Sequence, residues 1–458
     1  MTYDDALRWL LTLPDFERTG EFADRPDVEP MRALLAALGG PHLGRPTVHI
    51  AGSKGKGSTG AMIEAVLRAA GMRTGHYISP HLHRYSERIR LDGKPLDGDA
   101  FAAAIAAVRD AIERVEPRVP GRRFIAFDAL TAAAFVAFRD TAVDVQVIEV
   151  GLGGLLDSTN VFDATDVVVL TPISLEHTAI LGDTIPQIAA QKAGIITRGA
   201  TVVVAPQRES ALDVFRRAAA ERDARVIEVA QACQLQRVSA TLEHQDFRLK
   251  TPRATYAARL SLIGRHQLDN AATAVLAAEA LAERAGIELT PEHVKRGLAG
   301  VAWPARLEVL KRRPLVIIDG AHNGDSARRM ADALREYAGV RDVTFVLGTL
   351  AGKDVAAIAE AVAPLAAEVY VPRWPHARAA DPRDVAEAVR AFDIPVRPSG
   401  SLPDAVEAAM ASAGERGCVV ACGSIAFAAA VREYLLGIES DMIRLALSKG
   451  VSKAGGAA

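Results

Sequence analysis

Short apolar runs alternate with alanine-rich helical stretches along most of this chain, and that alternation restricts the fold more than any other feature. "TVHIAG", "DVQVIEVG" and "DVVVLTP" are short and mostly apolar, the pattern of strands buried on both faces of a parallel sheet. Between them "GSTGAMIEAVLRAAG", "GDAFAAAIAAVRDAIERV" and "FDALTAAAFVAFRD" read as helices, and "TIPQIAAQKAGI" reads as a shorter one with Pro186 in its first turn. Strands and helices in this order predict a doubly wound α/β fold.

The rhythm changes twice. From Leu235 to Leu262 polar and apolar residues alternate with period two, which predicts a small antiparallel β insertion. At "GVAWPARLE" a tryptophan and a proline interrupt the helical pattern, and a second strand–helix series begins with "PLVIIDGAHN", "DVTFVLGTL", "EVYVPRW" and "CVVACGSIAFAAAVREYL". The expected organisation is a nucleotide-binding domain over residues 1–300, a second α/β domain over 301–445 and a disordered tail over 446–458.

Charge and cysteine content narrow the partners. Lys and Arg total 54 and Asp and Glu 56, for a net charge of −2. So even a balance gives no electrostatic reason to expect nucleic acid or an anionic membrane. Cys233, Cys418 and Cys422 lack zinc-ligand spacing, which suits a reducing compartment. The start, "MTYDDALRWLLTLPDFERTG", has neither a basic region nor an apolar core of the secretory kind, and no apolar run approaches the roughly 20 residues of a membrane span. The expectation is a cytoplasmic monomer acting on small molecules.

Candidate chemistry gathers where predicted strands end. "VHIAGSKGKGSTGAMIEAVLRAAG" carries a glycine-rich loop between a strand and a helix, where backbone N–H groups and the helix dipole favour phosphate. Lys56 adds a point charge, and the Ser58 hydroxyl can ligate Mg²⁺. The loop departs from the G-x-x-x-x-G-K-[ST] pattern, since Gly57 separates Lys56 from Ser58. Ser79 follows the second strand. Glu149 closes a buried run, where an ionised carboxylate calls for a metal or a cation. His177 follows the next strand. Together these groups favour a phosphate-linked Mg²⁺ site at one sheet edge. Lys192 lies in a short helix, where a lysine is ordinarily solvated. Asp319 and His322 end another buried strand in "IIDGAHNG".

Taken together these stretches resemble the folylpolyglutamate synthase/dihydrofolate synthase family, a branch of the Mur ligase superfamily. The resemblance runs in family order through "HIAGSKGKGST", "SPHL", "ERIR", "EVGLGGLLDSTN", "ISLEHTAILGDTI", "IAAQKAGI", "GRHQLDNAA", "WPARLE", "DGAHN" and "ACGSIAF", almost the whole chain. It implies a P-loop-type N-terminal domain, a Rossmann-like C-terminal domain and an ATP-dependent amide ligase. Such an enzyme phosphorylates a carboxylate of dihydropteroate or of a folate's glutamyl tail, and the amine of L-glutamate then attacks the acyl phosphate.

By position, the resemblance assigns Gly52, Gly55, Lys56, Gly57, Ser58, Thr59, Asn270, Arg306 and Asp319 to ATP. It assigns Ser58, Ser79, Glu149, His177 and Lys192 to one or two Mg²⁺ ions, with a monovalent cation as a further ligand. Lys192 matches a lysine that can be carbamylated. Lys56, Glu149, His177 and Lys192 form the implied catalytic set, and Phe127, Asp157, His322 and Ser424 the implied substrate contacts. Several positions depart from the family pattern. Ser53-Lys54 replaces Thr-Asn, Leu155 replaces an arginine, Ser158 an alanine and Asp128 a glutamate.

Two rivals differ in class. A cell-wall Mur ligase acting on a non-folate carboxylate would carry a further domain before the loop, and only 51 residues precede Gly52, about half of a small domain. A nucleotide-hydrolysing switch would leave the second domain without purpose.

Overall fold

A computed structural model describes residues 1–19, 27–119 and 123–448. Of the tail expected from residue 446, residues 449–458 lie outside the described residues, and 446–448 close a helix, Asp441–Ser448. The chain divides into two compact units. The first comprises Met1–Ser239, Asp246–Ser261 and Gln267–Ala302, and the second Ala240–Gln245, Leu262–His266 and Trp303–Ala458.

An eight-stranded sheet organises the first unit. Its strands are β1 (Thr47–Ala51), β2 (Thr74–Tyr77), β3 (Ile89–Leu91), β4 (Lys94–Pro95), β5 (Val145–Glu149), β6 (Val167–Leu170), β7 (Thr201–Val204) and β8 (Arg225–Glu228). They lie in the order β4-β3-β2-β5-β1-β6-β7-β8. From β2 to β8 neighbouring strands run parallel, while β3 and β4 form an antiparallel edge. Every residue of β1, β2, β5, β6 and β7 is buried, as a parallel sheet covered on both faces requires. Strand order reverses around β1, which lies between β5 and β6. Crevices at the carboxyl ends of strands near such a reversal are where open α/β sheets hold ligands.

The helices obey local rules. Asp97 caps Gly98–Val115 by accepting from Asp99 N at 2.9 Å, and Thr184 with Gln187 forms a capping box on Ile185–Ala193, whose first turn holds Pro186. Beyond β8 a three-stranded sheet is built from β9 (Gln234–Ala240), β10 (Gln245–Lys250) and β11 (Thr255–Leu260). Gln245, Phe247, Leu249, Tyr256, Ala258 and Leu260 are its buried members, the period-two alternation expected of a sheet with one covered face. It is fastened to the helix Arg265–Ala285 through Glu279, whose Oε1 accepts from Thr251 Oγ1 at 2.7 Å and from Tyr256 OH at 2.5 Å.

The second unit is a six-stranded sheet of β12 (Glu308–Arg312), β13 (Leu315–Ile318), β14 (Val343–Leu347), β15 (Ala366–Arg373), β16 (Val396–Ser401) and β17 (Cys418–Cys422), in the order β12-β13-β17-β14-β15-β16. All neighbours are parallel except β12, an antiparallel edge strand. Ile317, Phe345, Val369 and Val420 lie in its core against Ala327 and Met330 of the helix Gly324–Ala333. The strands β3, β4 and β16, at or next to a sheet edge, are additions to the sequence reading. They are short or contain proline and glycine, so they carry no apolar run to detect.

Candidate active site

The glycine-rich loop leaves β1 and is pinned by its backbone. Ser53 N and Lys54 N both donate to Pro172 O, at 3.0 and 3.1 Å, and the Ser53 hydroxyl donates to Ser174 O at 3.1 Å. Gly52 has φ +147°, and a Cβ there would stand 1.8 Å from Thr171 Oγ1 and 2.8 Å from the Thr171 carbonyl oxygen. Replacing Gly52 by alanine therefore forces the loop off the β6 segment. We expect Gly52→Ala to destabilise the protein by about 2–4 kcal/mol in urea unfolding followed by circular dichroism. A change below about 0.5 kcal/mol would mean that the loop accommodates a side chain there.

Gly55, at φ +89°, precedes the helix Lys56–Ala69, and no side chain caps that helix. The first N–H groups of an uncapped helix stay available to a ligand, and the helix dipole favours an anion. Thr59 N donates back to Gly55 O, and Ser58 and Thr59 are buried. Asn270 lies against the loop, since a Cβ on Gly55 would approach its Oδ1 to 2.6 Å.

Charged groups converge on this loop. Lys56 Nζ donates to Gly52 O at 3.1 Å and lies 3.9 Å from Glu149 Oε1. Lys192 Nζ donates to the same carbonyl at 3.0 Å and lies 3.2 Å from Glu176 Oε1. Lys54 Nζ stands 3.7 Å from the other Glu176 oxygen. Lys192 is thus not the solvated helical lysine that its position suggests; its residue is 2% exposed. Burial pushes its ammonium down, opposed by Glu176 and aided by Lys56, to about 8. Burial pushes the Glu176 carboxyl up, but Lys192, Lys56, Lys54 and His177 together hold it at about 2. Three ammonium groups thus gather beside an uncapped helix start, held by Glu149 and Glu176, with the Asp157 carboxylate also acting on Lys192. That is a cradle for a polyanion.

The remaining expected residues fall in several places. Glu149 is 4% exposed at the end of β5, opposite Ile50 of β1. Ser79 lies just past β2, the strand beside β5. His177 is exposed, with φ +47°, at the start of the short helix Thr178–Leu181, and its ring centroid lies 6.3 Å from that of Phe16. Among the described residues no three His, Cys, Asp or Glu side chains assemble as a metal cluster. Mg²⁺ bound through phosphates needs only one or two carboxylates from the protein. Glu176 was not anticipated from the sequence. Its adjacency to His177 in "LEHT" was the available signal.

Phe127 stands in the first turn of the helix Ala126–Asp140, and Asp157 in the turn after β5. The Asp157 carboxylate accepts from Leu152 N at 2.8 Å, Thr159 N at 3.0 Å and Thr159 Oγ1 at 2.6 Å. It thereby holds the turn after β5 closed.

Arg306, Asp319, His322 and Ser424 belong to the second unit. Arg306 stands between Ala305 and Leu307, at φ +55° and +49°, two non-glycine residues in the left-handed region. Such strain persists only where the surroundings over-determine it. Here Leu307 N donates to Asp319 Oδ2 at 2.9 Å, Gly320 N donates to Ala305 O at 2.9 Å, and Arg306 Nη1 donates to Ala305 O at 3.0 Å. Burial raises the Asp319 carboxyl, against the pull of Arg306 and two backbone donors. His322 Nδ1 lies 3.0 Å from Gly320 O, and the Ser424 hydroxyl caps the helix Ile425–Leu436 through Phe427 N at 2.9 Å. Asp319 and Ser424 follow the ends of β13 and β17, which are parallel neighbours.

The chain is similar to known proteins along most of its length. A family profile described as the Mur ligase middle domain matches residues 127–278, and one described as the Mur ligase, glutamate ligase domain, matches residues 305–425. The folylpolyglutamate synthase of Lacticaseibacillus casei is 34% identical over 447 residues, covering 96% of this chain and all of that protein. The dihydrofolate synthase/folylpolyglutamate synthase of Bacillus subtilis is 32% identical over 436 residues, covering 94% of this chain and 99% of its own. A structure of Mycobacterium tuberculosis folylpolyglutamate synthase complexed with ADP and AMPPCP superposes with a TM-score of 0.85 at 33% identity, over 95% of this chain and 100% of that one.

Proposed function

The chain belongs to the folylpolyglutamate synthase/dihydrofolate synthase family, and from that premise we propose that it joins L-glutamate to dihydropteroate, to the glutamyl tail of reduced folates, or to both, at the expense of ATP. The observation that carries this reading is the cluster of Lys54, Lys56 and Lys192 around the Gly52 carbonyl and Glu176, at the uncapped start of the helix Lys56–Ala69. ATP supplies a polyanion for these lysines and for the backbone N–H groups at the uncapped helix start.

A carboxylate is a poor electrophile because its leaving group would be an oxide. Transfer of the γ-phosphoryl group to a substrate carboxylate oxygen gives an acyl phosphate. The glutamate amine attacks the acyl carbon, loses a proton, and phosphate departs as the amide forms. Lys56 stays within reach of the transferring group and offsets its charge. Backbone N–H groups at the helix start hold the remaining phosphates. Ser58 and Glu149 offer the oxygen donors that a hard cation prefers, and they fit Mg²⁺. Bound there with ATP, Mg²⁺ would neutralise charge between phosphate oxygens. Ser79, His177 and, in carbamylated form only, Lys192 complete the proposed set around it. Asn270, Arg306 and Asp319 are proposed nucleotide contacts, and His322 and Ser424 contacts for nucleotide or glutamate. No described helix is long and apolar enough to cross a membrane.

The test is co-substrate dependence. Phosphate release should require a pteroyl substrate and L-glutamate together, with one ADP formed per amide bond. ATP hydrolysis at an unchanged rate without either would overturn the reading. Assays with dihydropteroate and with tetrahydrofolate separately decide which ligation occurs.

Leu155 bears on that choice. It lies in the turn after β5, 43% exposed, where the family resemblance expects an arginine. A leucine offers a substrate carboxylate no charged donors, whereas a guanidinium offers a fork of them. Leu155→Arg should therefore change the ratio of kcat/KM for dihydropteroate and folates by on the order of tenfold and leave the ATP KM unchanged. A shift in the ATP constant alone would place this turn against the nucleotide instead.

A further inference from the structure

Two departures from the family pattern, 30 residues apart in sequence, touch. The Ser158 hydroxyl donates to Asp128 Oδ1 at 2.5 Å, and both residues are buried. The other carboxylate oxygen, Oδ2, accepts from Ile125 N at 3.0 Å. One side chain thus ties the start of the helix Ala126–Asp140 to the turn after β5. A hydroxyl-to-carboxylate bond of this length is of the charge-assisted kind.

What the bond positions lies beside it. Phe127 precedes Asp128, and Asp157 precedes Ser158. The Phe127 ring rests against Gly151, where a Cβ would come within 2.4 Å of its Cζ, and tilts against Tyr77 with centroids 5.9 Å apart. The Thr131 hydroxyl lies 2.8 Å from Phe127 O and 3.0 Å from Tyr77 OH. Phe127 is only partly buried, while Asp128 on its C-terminal side is 0% exposed. The ring is therefore presented from a backbone that the Asp128–Ser158 bond holds at a fixed distance from the Asp157 turn.

We propose that Asp128 and Ser158 are a coupled pair of positioning residues that sets the spacing of Phe127 and the Asp157 turn, and through it the preference for one pteroyl substrate over another. The proposal rests on the ligase reading above. Its chemistry is complementary in length. Aspartate reaches one methylene less far than glutamate, and the serine hydroxyl extends toward it where alanine would not. Changing Ser158 alone removes one hydrogen-bond donor from a buried carboxylate, and lengthening Asp128 alone drives its carboxylate into the hydroxyl; both cost binding geometry.

A double-mutant cycle tests this. Ser158→Ala and Asp128→Glu should each raise KM for the preferred pteroyl substrate by on the order of tenfold, the worth of one hydrogen bond to a charged group. The ATP and glutamate KM values should stay unchanged. Combined, the two changes should recover most of that loss and alter the dihydropteroate-to-tetrahydrofolate preference. If Asp128→Glu does not fold, Asp128→Asn closes the cycle, since it keeps the shape and removes the charge; its loss should then be less than additive with that of Ser158→Ala. Strictly additive losses, or equal losses in pteroyl and ATP KM, would overturn the pairing while leaving the ligase reading standing. A wild-type protein that ligates glutamate to neither substrate would overturn both.

Discussion

Lys56→Ala should lower ligase turnover by on the order of 10²-fold or more, with the far-ultraviolet circular dichroism spectrum unchanged. The lysine is held by the Gly52 carbonyl at 3.1 Å and by Glu149 at 3.9 Å, so its ammonium is already aimed when the phosphates arrive. Neither contact is a core packing contact. Truncation removes a charge that water cannot replace once the phosphates are seated, because an electrostatic group is worth most where solvent is excluded. Glu149→Gln should be comparably inactive. It preserves the shape of a side chain buried at the end of β5 and removes only the charge that would face Mg²⁺. Steady-state ADP release at saturating ATP, pteroyl substrate and glutamate measures both variants. Near wild-type turnover in either would remove that residue from the phosphoryl-transfer centre.

The sequence makes the frame of this site readable and hides its wiring. β1, β5 and β6 are visible as apolar runs because they are buried on both faces, and the loop after β1 announces itself through Gly52, Gly55 and Gly57. The strands β3, β4 and β16 are invisible for the opposite reason, being short, polar or interrupted by proline. Lys192 shows a deeper limit. Its helix, Ile185–Ala193, has an ordinary composition, and burial of the lysine depends on a carbonyl at Gly52, 140 residues away. Glu176 is equally hidden, since its meaning comes from three lysines on two distant segments. The touching of Asp128 and Ser158 could be read from neither position alone. Local periodicity reports which face of an element is covered. It does not report which distant group covers it, and charge chemistry depends on the second.

Lys192→Ala should be inactive by on the order of 10²-fold or more, and the manner of its rescue distinguishes two roles. In the structure the Lys192 side chain is unmodified and donates to Gly52 O and Glu176. The family resemblance proposes instead a carbamate on Nζ facing Mg²⁺. Only a neutral amine captures CO₂: its lone pair forms the N–C bond and a proton leaves to solvent. Burial has lowered this ammonium from the usual lysine range to about 8, so the neutral fraction grows as pH rises from 6 to 9, and carbamate formation should grow with it. The product exchanges a positive charge for a negative one beside Glu176, so it is tenable only with a cation between them, which ties the modification to metal and ATP. If the carbamate is the working form, acetate should partly restore Lys192→Ala. The wild-type protein equilibrated with ¹³C-bicarbonate, Mg²⁺ and a non-hydrolysable ATP analogue should show a carbamate carbon resonance that the variant lacks. Rescue by ethylamine rather than acetate, with no such resonance, would establish that Lys192 works as an ammonium paired with Glu176. Full activity of the variant would exclude both roles.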